Sequence, residues 1–161
     1  MPIGQQINAT LSTDASTILE PPKAEVEQGR LSGLWQKTDE DLLAVFRGVP
    51  FAAPPLGRLR WAAPVDPLPW VDEKDATEFG AQCMQSSSLS LFTVSLIRGQ
   101  GMPETEAQAI IGSLASRTPP AMSEDCLFLN LTTPNMAPEK NLPVMVWFHG
   151  GSHQTGTASS P

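Results

Sequence analysis

The residues best suited to chemistry lie near the end of the chain, where His149-Gly150-Gly151-Ser152 follows a continuous apolar run from Pro143 to Phe148. Such a run is typical of a buried strand, and two glycines directly after it predict a tight loop. Main-chain N–H groups in a glycine loop can stabilise the negatively charged oxygen of a tetrahedral acyl-transfer intermediate. The segment therefore predicts an oxyanion hole.

The sequence does not predict a serine nucleophile to accompany this loop, because the pattern G-x-S-x-G occurs nowhere in the 161 residues. Ser152 is flanked by His149 and His153, but residues so close in a glycine turn seldom direct their side chains together, and no carboxylate nearby would orient an imidazole. Ser159-Ser160 follows Gly156 without the second glycine of a nucleophile turn. We therefore expect the oxyanion donors without the attacking group.

The chain contains two cysteines, Cys83 and Cys126. They are either two buried thiols or a disulfide, whose long closed loop would stabilise the fold by roughly 4 kcal/mol. A disulfide would favour an extracellular, periplasmic or lumenal location, although residues 1–25 lack the basic start and apolar core of a signal peptide. No histidine stands at ligand spacing from either cysteine, so no metal site is expected.

Composition excludes several classes of partner. The net charge is −7 and the ten basic residues are scattered, so nucleic acid is not expected to bind. No window approaches the roughly 18 consecutive apolar residues of a membrane span. Sixteen prolines and twelve glycines favour a loop-rich α/β or β-rich architecture over a helical bundle.

Short strands and two helices must position the glycine loop. Alternation around Gln28-Gly29 predicts a hairpin over 24–36, further strands are predicted at 42–46, 127–132 and 142–148, and apolar residues at helical spacing predict helices over 89–98 and 104–117. The last strand is expected to be the most buried, and little follows it to cover both of its faces. Residue 161 is therefore not expected to be a natural domain boundary.

A proline-rich stretch, 52–69, separates the first strands from the helices. Its five prolines predict an ordered, non-helical loop. Trp61 lies within this loop and Trp70 directly after it, and both are expected to pin the loop to a hydrophobic core.

Four segments follow one another in a specific order: Phe46-Arg47-Gly48-Val49-Pro50-Phe51 with Gly57-Arg58-Leu59-Arg60-Trp61; Cys83-Met84-Gln85; Ser123-Glu124-Asp125-Cys126-Leu127-Phe128-Leu129-Asn130; and Pro143-Val144-Met145-Val146-Trp147-Phe148-His149-Gly150-Gly151. Over about residues 26–156 the chain closely resembles the amino-terminal part of the type-B carboxylesterases, the family that also contains the cholinesterases. The resemblance implies the amino-terminal part of an α/β-hydrolase fold, with an edge hairpin and the first strands of the central sheet. Residues 1–25 would be a flexible tail, 26–161 an incomplete domain, and 86–120 a helical insertion within the disulfide loop.

The resemblance also implies a chemistry: hydrolysis of a small carboxylic ester through an acyl-enzyme, without a cofactor. Gly150, Gly151 and Ser152 would form the oxyanion-hole loop, with N–H groups of Gly151 and Ser152 as donors and Gly150 allowing the turn. The family usually has a third glycine and then an aromatic residue, so Ser152 and His153 depart from its pattern. The serine, acid and histidine of the triad would all lie downstream of the loop.

Two structural pairings are further implications of the resemblance. Cys83 and Cys126 would form the family's first disulfide, and Arg60 would pair with Glu124, joining the proline loop to the base of the disulfide loop. If the resemblance does not extend to this pair, Arg60 and Glu124 are two unrelated surface charges, which contribute little to stability.

Alternatives remain at the level of function. Cholinesterases bind quaternary ammonium through a tryptophan within the disulfide loop, and residues 84–125 contain neither Trp nor Tyr, so a choline ester is not expected. The helices in this loop are either an apolar lid over a broad pocket or inert elaboration. The protein could instead be a catalytically dead, cholinesterase-like binding or adhesion domain, or a truncated gene product without activity of its own.

Overall fold

In a computed structural model, the structure describes residues 19–85, 91–116, 121–151 and 153–159. In chain order the elements are β1 (Lys23–Val26), β2 (Gly29–Ser32), β3 (Leu34–Lys37), β4 (Leu42–Pro50), a 3-10 turn (Gly57–Leu59), β5 (Lys74–Asp75), β6 (Gln82–Cys83), α1 (Leu91–Gly99), α2 (Glu104–Ala115), β7 (Met122–Ser123) and β8 (Phe128–Thr133). Most of the predicted tail lies outside the described residues. The first strand begins three positions before the expected start of the domain at residue 26.

The described strands form three small sheets. The predicted hairpin is confirmed: β1 pairs antiparallel with β2, from Lys23 opposite Ser32 to Val26 opposite Gly29. The short strand β5 then runs parallel to β2. In the second sheet β4 lies between β3 and β8, both antiparallel to it, and in the third β6 pairs parallel with β7.

Strand β4 contributes most of the core. Its residues Ala44, Phe46 and Val49 are buried together with Leu31 of β2 and Ala76, just after β5. The register between β4 and β8 shifts between Phe46 and Val49. The extra residues of this β-bulge include Gly48, whose N–H donates to the side-chain oxygen of Asn130 at 3.0 Å. The bulge therefore connects the R-G-V-P segment to the end of the E-D-C-L-F-L-N segment.

Two helices occupy the chain between the cysteines, as predicted. Helix α2 begins after Pro103 and carries Glu104 and Glu106 in its first turn, where acidic side chains complement the helix dipole. Arg98, in the last turn of α1, lies 3.0 Å from the carboxylate of Glu104 and joins the two helices. In the part of the chain that the structure describes, no helix is long and apolar enough to cross a membrane.

The expectation that 142–148 forms the most buried strand is wrong. The segment belongs to none of the described sheets, and Met145 is 94% exposed and Trp147 83% exposed. A strand needs partners for its main-chain N–H and C=O groups, and no described strand pairs with this segment. An apolar run shows a preference for burial, but it does not supply the neighbouring strands that would bury it.

The proline loop contains no α-helix, and its one helical element is the 3-10 turn. Trp70 packs against the core and its Nε1 donates to the carbonyl of Arg30 at 2.7 Å, as expected of a pinning residue. The expectation for Trp61 is wrong, since its side chain is 96% exposed. Its backbone has φ 62°, a left-handed conformation. Its side chain does not pack against the hydrophobic core of the described residues.

Candidate oxyanion-hole loop

The described residues of the glycine loop, 149–151 and 153–156, form a turn at the end of the exposed apolar segment. The carbonyl oxygen of Gly151 accepts from the N–H groups of Gln154 at 2.9 Å and Thr155 at 3.1 Å. Gly151 has φ 123°, and a Cβ at this position would collide with the carbonyl of Thr155. The turn therefore requires glycine here.

The carbonyl of Gly150 also points into the loop. It lies 2.9 Å from Nδ1 of His149, and a hydrogen bond between them requires the tautomer with the proton on Nδ1, because a carbonyl only accepts. Gly156 has φ 114°, and a Cβ at this position would collide with this carbonyl and with the imidazole of His149. Among the described residues, the N–H groups of Gly150 and Gly151 have no hydrogen-bond acceptor. Within the described part of the chain, the loop thus pairs the carbonyls of Gly150 and Gly151 internally, while the N–H groups of the same two residues meet no acceptor.

Two positions from the sequence analysis remain, Ser152 and His153. Ser152, the expected second donor, lies outside the described residues. His153 is exposed and has φ 58°, a left-handed conformation that is uncommon in residues other than glycine, although histidine is enriched there together with Asn and Asp. His153, which directly follows the serine at the family's third glycine position, is therefore a non-glycine residue with a positive φ.

Three side chains anchor the loop to the rest of the chain. The carboxamide of Gln85 makes two hydrogen bonds with the main chain of Gly156. Nδ2 of Asn130 donates to the carbonyl of Ala158 at 2.8 Å, and the hydroxyl of Ser159 donates to the carbonyl of Gly80 at 2.7 Å. The loop is therefore held by β8 and by the segment around β6.

Beside these anchors, Cys83 and Cys126 form a disulfide with their Cα atoms 5.0 Å apart. Strands β6 and β7 pair directly at its base, where Cys83 lies opposite Ser123. Nη1 of Arg60 lies 2.8 Å from Oε1 of Glu124, so the two pairs that the resemblance implied are adjacent in the structure. In the described ranges, no group of three or more His, Cys, Asp or Glu side chains could hold a metal ion.

Sequence reasoning assigned no role to Gln85, Asn130 or Ser159. Gln85 and Asn130 end two of the segments that carry the family resemblance, so their presence was a usable signal. Ser159 gave no signal, because a serine in a loop is compatible with many roles.

Comparison with known proteins identifies the family. The residue pattern of the carboxylesterase family matches positions 20–160. The chain belongs to the carboxylesterase family. It is 44% identical to pyrethroid hydrolase Ces2a of Mus musculus over 115 residues, which cover 71% of the chain and 18% of that protein. It is 35% identical to carboxylesterase 1E of Mus musculus over 155 residues (94% and 25%) and 36% identical to para-nitrobenzyl esterase of Bacillus subtilis over 135 residues (84% and 22%).

This carboxylesterase-family chain spans about a fifth to a quarter of the length of those relatives, which it covers to 18%, 25% and 22%. Family membership implies an α/β-hydrolase fold. The small open sheets are consistent with part of such a domain. The glycine loop lies inside the matched region.

Proposed function

We propose that the protein hydrolyses carboxylic esters through a serine acyl-enzyme, and that these 161 residues contribute the oxyanion-hole loop but not the nucleophile, acid or base. The observation that carries the proposal is the pair of N–H groups at Gly150 and Gly151 without an acceptor among the described residues. Donors that are fixed before reaction stabilise the oxyanion of a tetrahedral intermediate without reorganisation. Ser152 would supply the second of the two main-chain donors that the family resemblance implies, beside Gly151.

The names of the relatives support an ester substrate without selecting one. They include a pyrethroid hydrolase, a para-nitrobenzyl esterase and an acylcarnitine hydrolase. These compounds differ widely in their alcohol part, and what they share is the ester carbonyl on which the glycine loop would act. We therefore propose the substrate class as carboxylic esters and no narrower.

Two measurements test the proposal. The isolated chain should not be labelled by a fluorophosphonate probe, because no activated serine is expected in it, and covalent labelling would contradict that assignment. A chimera in which residues 20–160 replace the matching segment of the Bacillus subtilis para-nitrobenzyl esterase should hydrolyse p-nitrophenyl acetate. A chimera that folds but lacks activity would favour the binding-domain alternative.

Within the active chimera, Gly151→Ala should lower kcat by about 10²- to 10³-fold, the usual cost of losing one oxyanion donor. The added Cβ would meet the Thr155 carbonyl and displace the loop. Gly112→Ala is the matched control, since Gly112 lies on α2 with open space around it. Equal losses for the two variants would show that the glycine loop has no special part in catalysis.

A further inference from the structure

The carboxamide of Gln85 contacts a single residue through both of its polar atoms. Its Nε2 donates to the carbonyl of Gly156 at 2.8 Å, and its Oε1 accepts from the N–H of Gly156 at 2.7 Å. The contact joins positions that are 71 residues apart. A carboxamide matches a residue's paired N–H and C=O in the way that one strand matches another, so this contact specifies both position and orientation.

The residue that Gln85 holds is in direct contact with the glycine loop. A Cβ at Gly156 would collide with the carbonyl of Gly150 and the imidazole of His149, so both groups lie close to this glycine. If Gly156 moved, Gly150 would therefore lose the neighbour that holds it in place. Because 142–148 joins no described sheet, the loop takes its support in this structure from side chains such as Gln85 and not from a strand before it.

The other end of the contact is rigid. Gln85 lies two positions after Cys83, and its Nε2 is also 3.2 Å from the carbonyl of Cys83. Cys83 is fixed by the disulfide to Cys126 and by the pairing of β6 with β7. A side chain next to a residue that is fixed by a disulfide and by strand pairing can hold its partner in a smaller range of positions than a side chain on an unsupported loop.

We propose that Gln85 is a positioning residue for the oxyanion hole. Its two hydrogen bonds hold Gly156 at a fixed distance from the Cys83–Cys126 disulfide, and Gly156 in turn fixes the N–H groups of Gly150 and Gly151. This inference rests on the proposed function of the glycine loop. It also assigns the disulfide a second role besides closing the loop that contains the helices, because the disulfide fixes Cys83, two residues before Gln85.

The test uses amide hydrogen exchange and nuclear magnetic resonance on the 161-residue chain. In the wild-type chain the Gly156 amide should be protected, and Gln85→Met, which keeps the length of the side chain but removes its hydrogen bonds, should reduce that protection about tenfold, the effect of one hydrogen bond. The amide signals of Gly150 and Gly151 should shift, while protection of β4 and β8 stays unchanged. Gln100→Met, at an exposed position after α1, is the control and should change none of these values.

A conservative variant separates positioning from space filling. A protonated carboxylic acid carries one donor and one acceptor like a carboxamide, whereas a carboxylate only accepts. At pH 7 the ionised Gln85→Glu variant should keep the Gly156 N–H protected, because its carboxylate still accepts, but it lacks the donor to the Gly156 carbonyl, so the amide signals of Gly150 and Gly151 should shift. These signals should return toward their wild-type positions as the pH falls to about 4, near the ordinary pKa of glutamic acid. The wild-type chain at each pH corrects for other groups near the loop and its base, namely His149, His153, Glu124 and Asp125. An unprotected Gly156 in the wild-type chain, or Gly156 protection unaffected by Gln85→Met, would overturn the proposal.

The esterase chimera separates this inference from the function on which it rests. Gln85→Met in the chimera should lower kcat about tenfold or more with little change in KM, because oxyanion donors act in the transition state. An active chimera with the same kcat after this substitution would overturn the role of Gln85 and leave the proposed function intact. A folded but inactive wild-type chimera would overturn the proposed function, while hydrogen exchange would still decide whether Gln85 fixes Gly156.

Discussion

The guanidinium of Arg60 and the carboxylate of Glu124 meet at 2.8 Å through a single N–H···O contact. Arg60 directly follows the 3-10 turn of the proline loop, and Glu124 lies two residues before the second cysteine. The pair therefore joins two segments that are 64 positions apart in the sequence. Both side chains are about half exposed, at 57% and 41%.

Exposure makes this ion pair a weak contributor to stability. We expect a double-mutant cycle with Arg60→Met and Glu124→Gln to give a coupling energy of about 0.2–1 kcal/mol, since water and salt screen exposed charges. Urea denaturation of the four proteins measures it, and the coupling should fall as sodium chloride is added. A coupling well above this range that does not respond to salt would show a buried, structurally decisive pair.

The disulfide should contribute considerably more. Replacing both Cys83 and Cys126 by serine should lower the free energy of unfolding by about 2–4 kcal/mol, because the unfolded chain regains the freedom of the open loop. Urea denaturation with and without dithiothreitol measures the effect. The double variant is its own control, since reductant should destabilise the wild-type chain and leave the variant unchanged. Equal stability of the oxidised and reduced wild-type chains would contradict the prediction.

The elements that sequence reasoning found are those whose residues carry a local signal. Alternation around Gln28-Gly29 fixes the hairpin, and the acidic first turn after Pro103 marks the start of α2. The 142–148 run failed because its burial depends on partner strands that periodicity cannot supply. Trp61 and Trp70 looked equivalent in sequence, but Trp61 has a left-handed backbone and an exposed ring, whereas Trp70 packs against the core and donates to the Arg30 carbonyl.

The candidate site was predictable as a loop but not as an assembly. Glycines after an apolar run indicate main-chain donors, and this local pattern led to Gly150 and Gly151. The anchors of the loop are contacts at long range in the sequence, such as Gln85 to Gly156. No local sequence pattern indicates which glutamine contacts which main-chain group, so these contacts could be found only in the structure.

Asn130 uses both ends of its carboxamide, accepting from Gly48 and donating to Ala158. Asn130→Asp keeps the acceptor and loses the donor, so it should cost about 1 kcal/mol, whereas Asn130→Leu loses both contacts and should cost about 2 kcal/mol. Urea denaturation gives the two values. The same substitutions at the exposed Asn141 are the control and should stay within about 0.5 kcal/mol. If Asp proves as costly as Leu, the acceptor contact with the bulge contributes nothing.

Asp75 should show a measurable titration effect. Thr77 lowers the pKa of this carboxyl, first through its hydroxyl and then through its N–H, which lies 2.9 Å from Oδ1. A lowered pKa in the folded state contributes stability above the pKa of the unfolded chain, and that contribution is lost as the pH falls through the folded value. Thr77→Val should raise the pKa of Asp75 and reduce this acid-sensitive contribution.

Carbon-detected titration of the Asp75 carboxyl group checks this expectation. Thr132→Val, the same substitution at an exposed position of β8, should leave the Asp75 titration unchanged. An Asp75 pKa that does not respond to Thr77→Val would show that the hydroxyl is not the main cause of the shift.

The last prediction concerns the backbone of His153, whose φ of 58° carries a steric cost for any residue with a Cβ. Glycine removes that cost, so His153→Gly should be about 1 kcal/mol more stable than His153→Ala, which loses the same imidazole but keeps the Cβ. The difference in the free energy of unfolding between these two variants isolates the backbone term from the loss of the side chain. If alanine is as stable as glycine, the loop does not hold position 153 in the left-handed conformation in solution. If glycine is more stable, the backbone at position 153 carries a strain that the anchors at Gln85, Asn130 and Ser159 must offset.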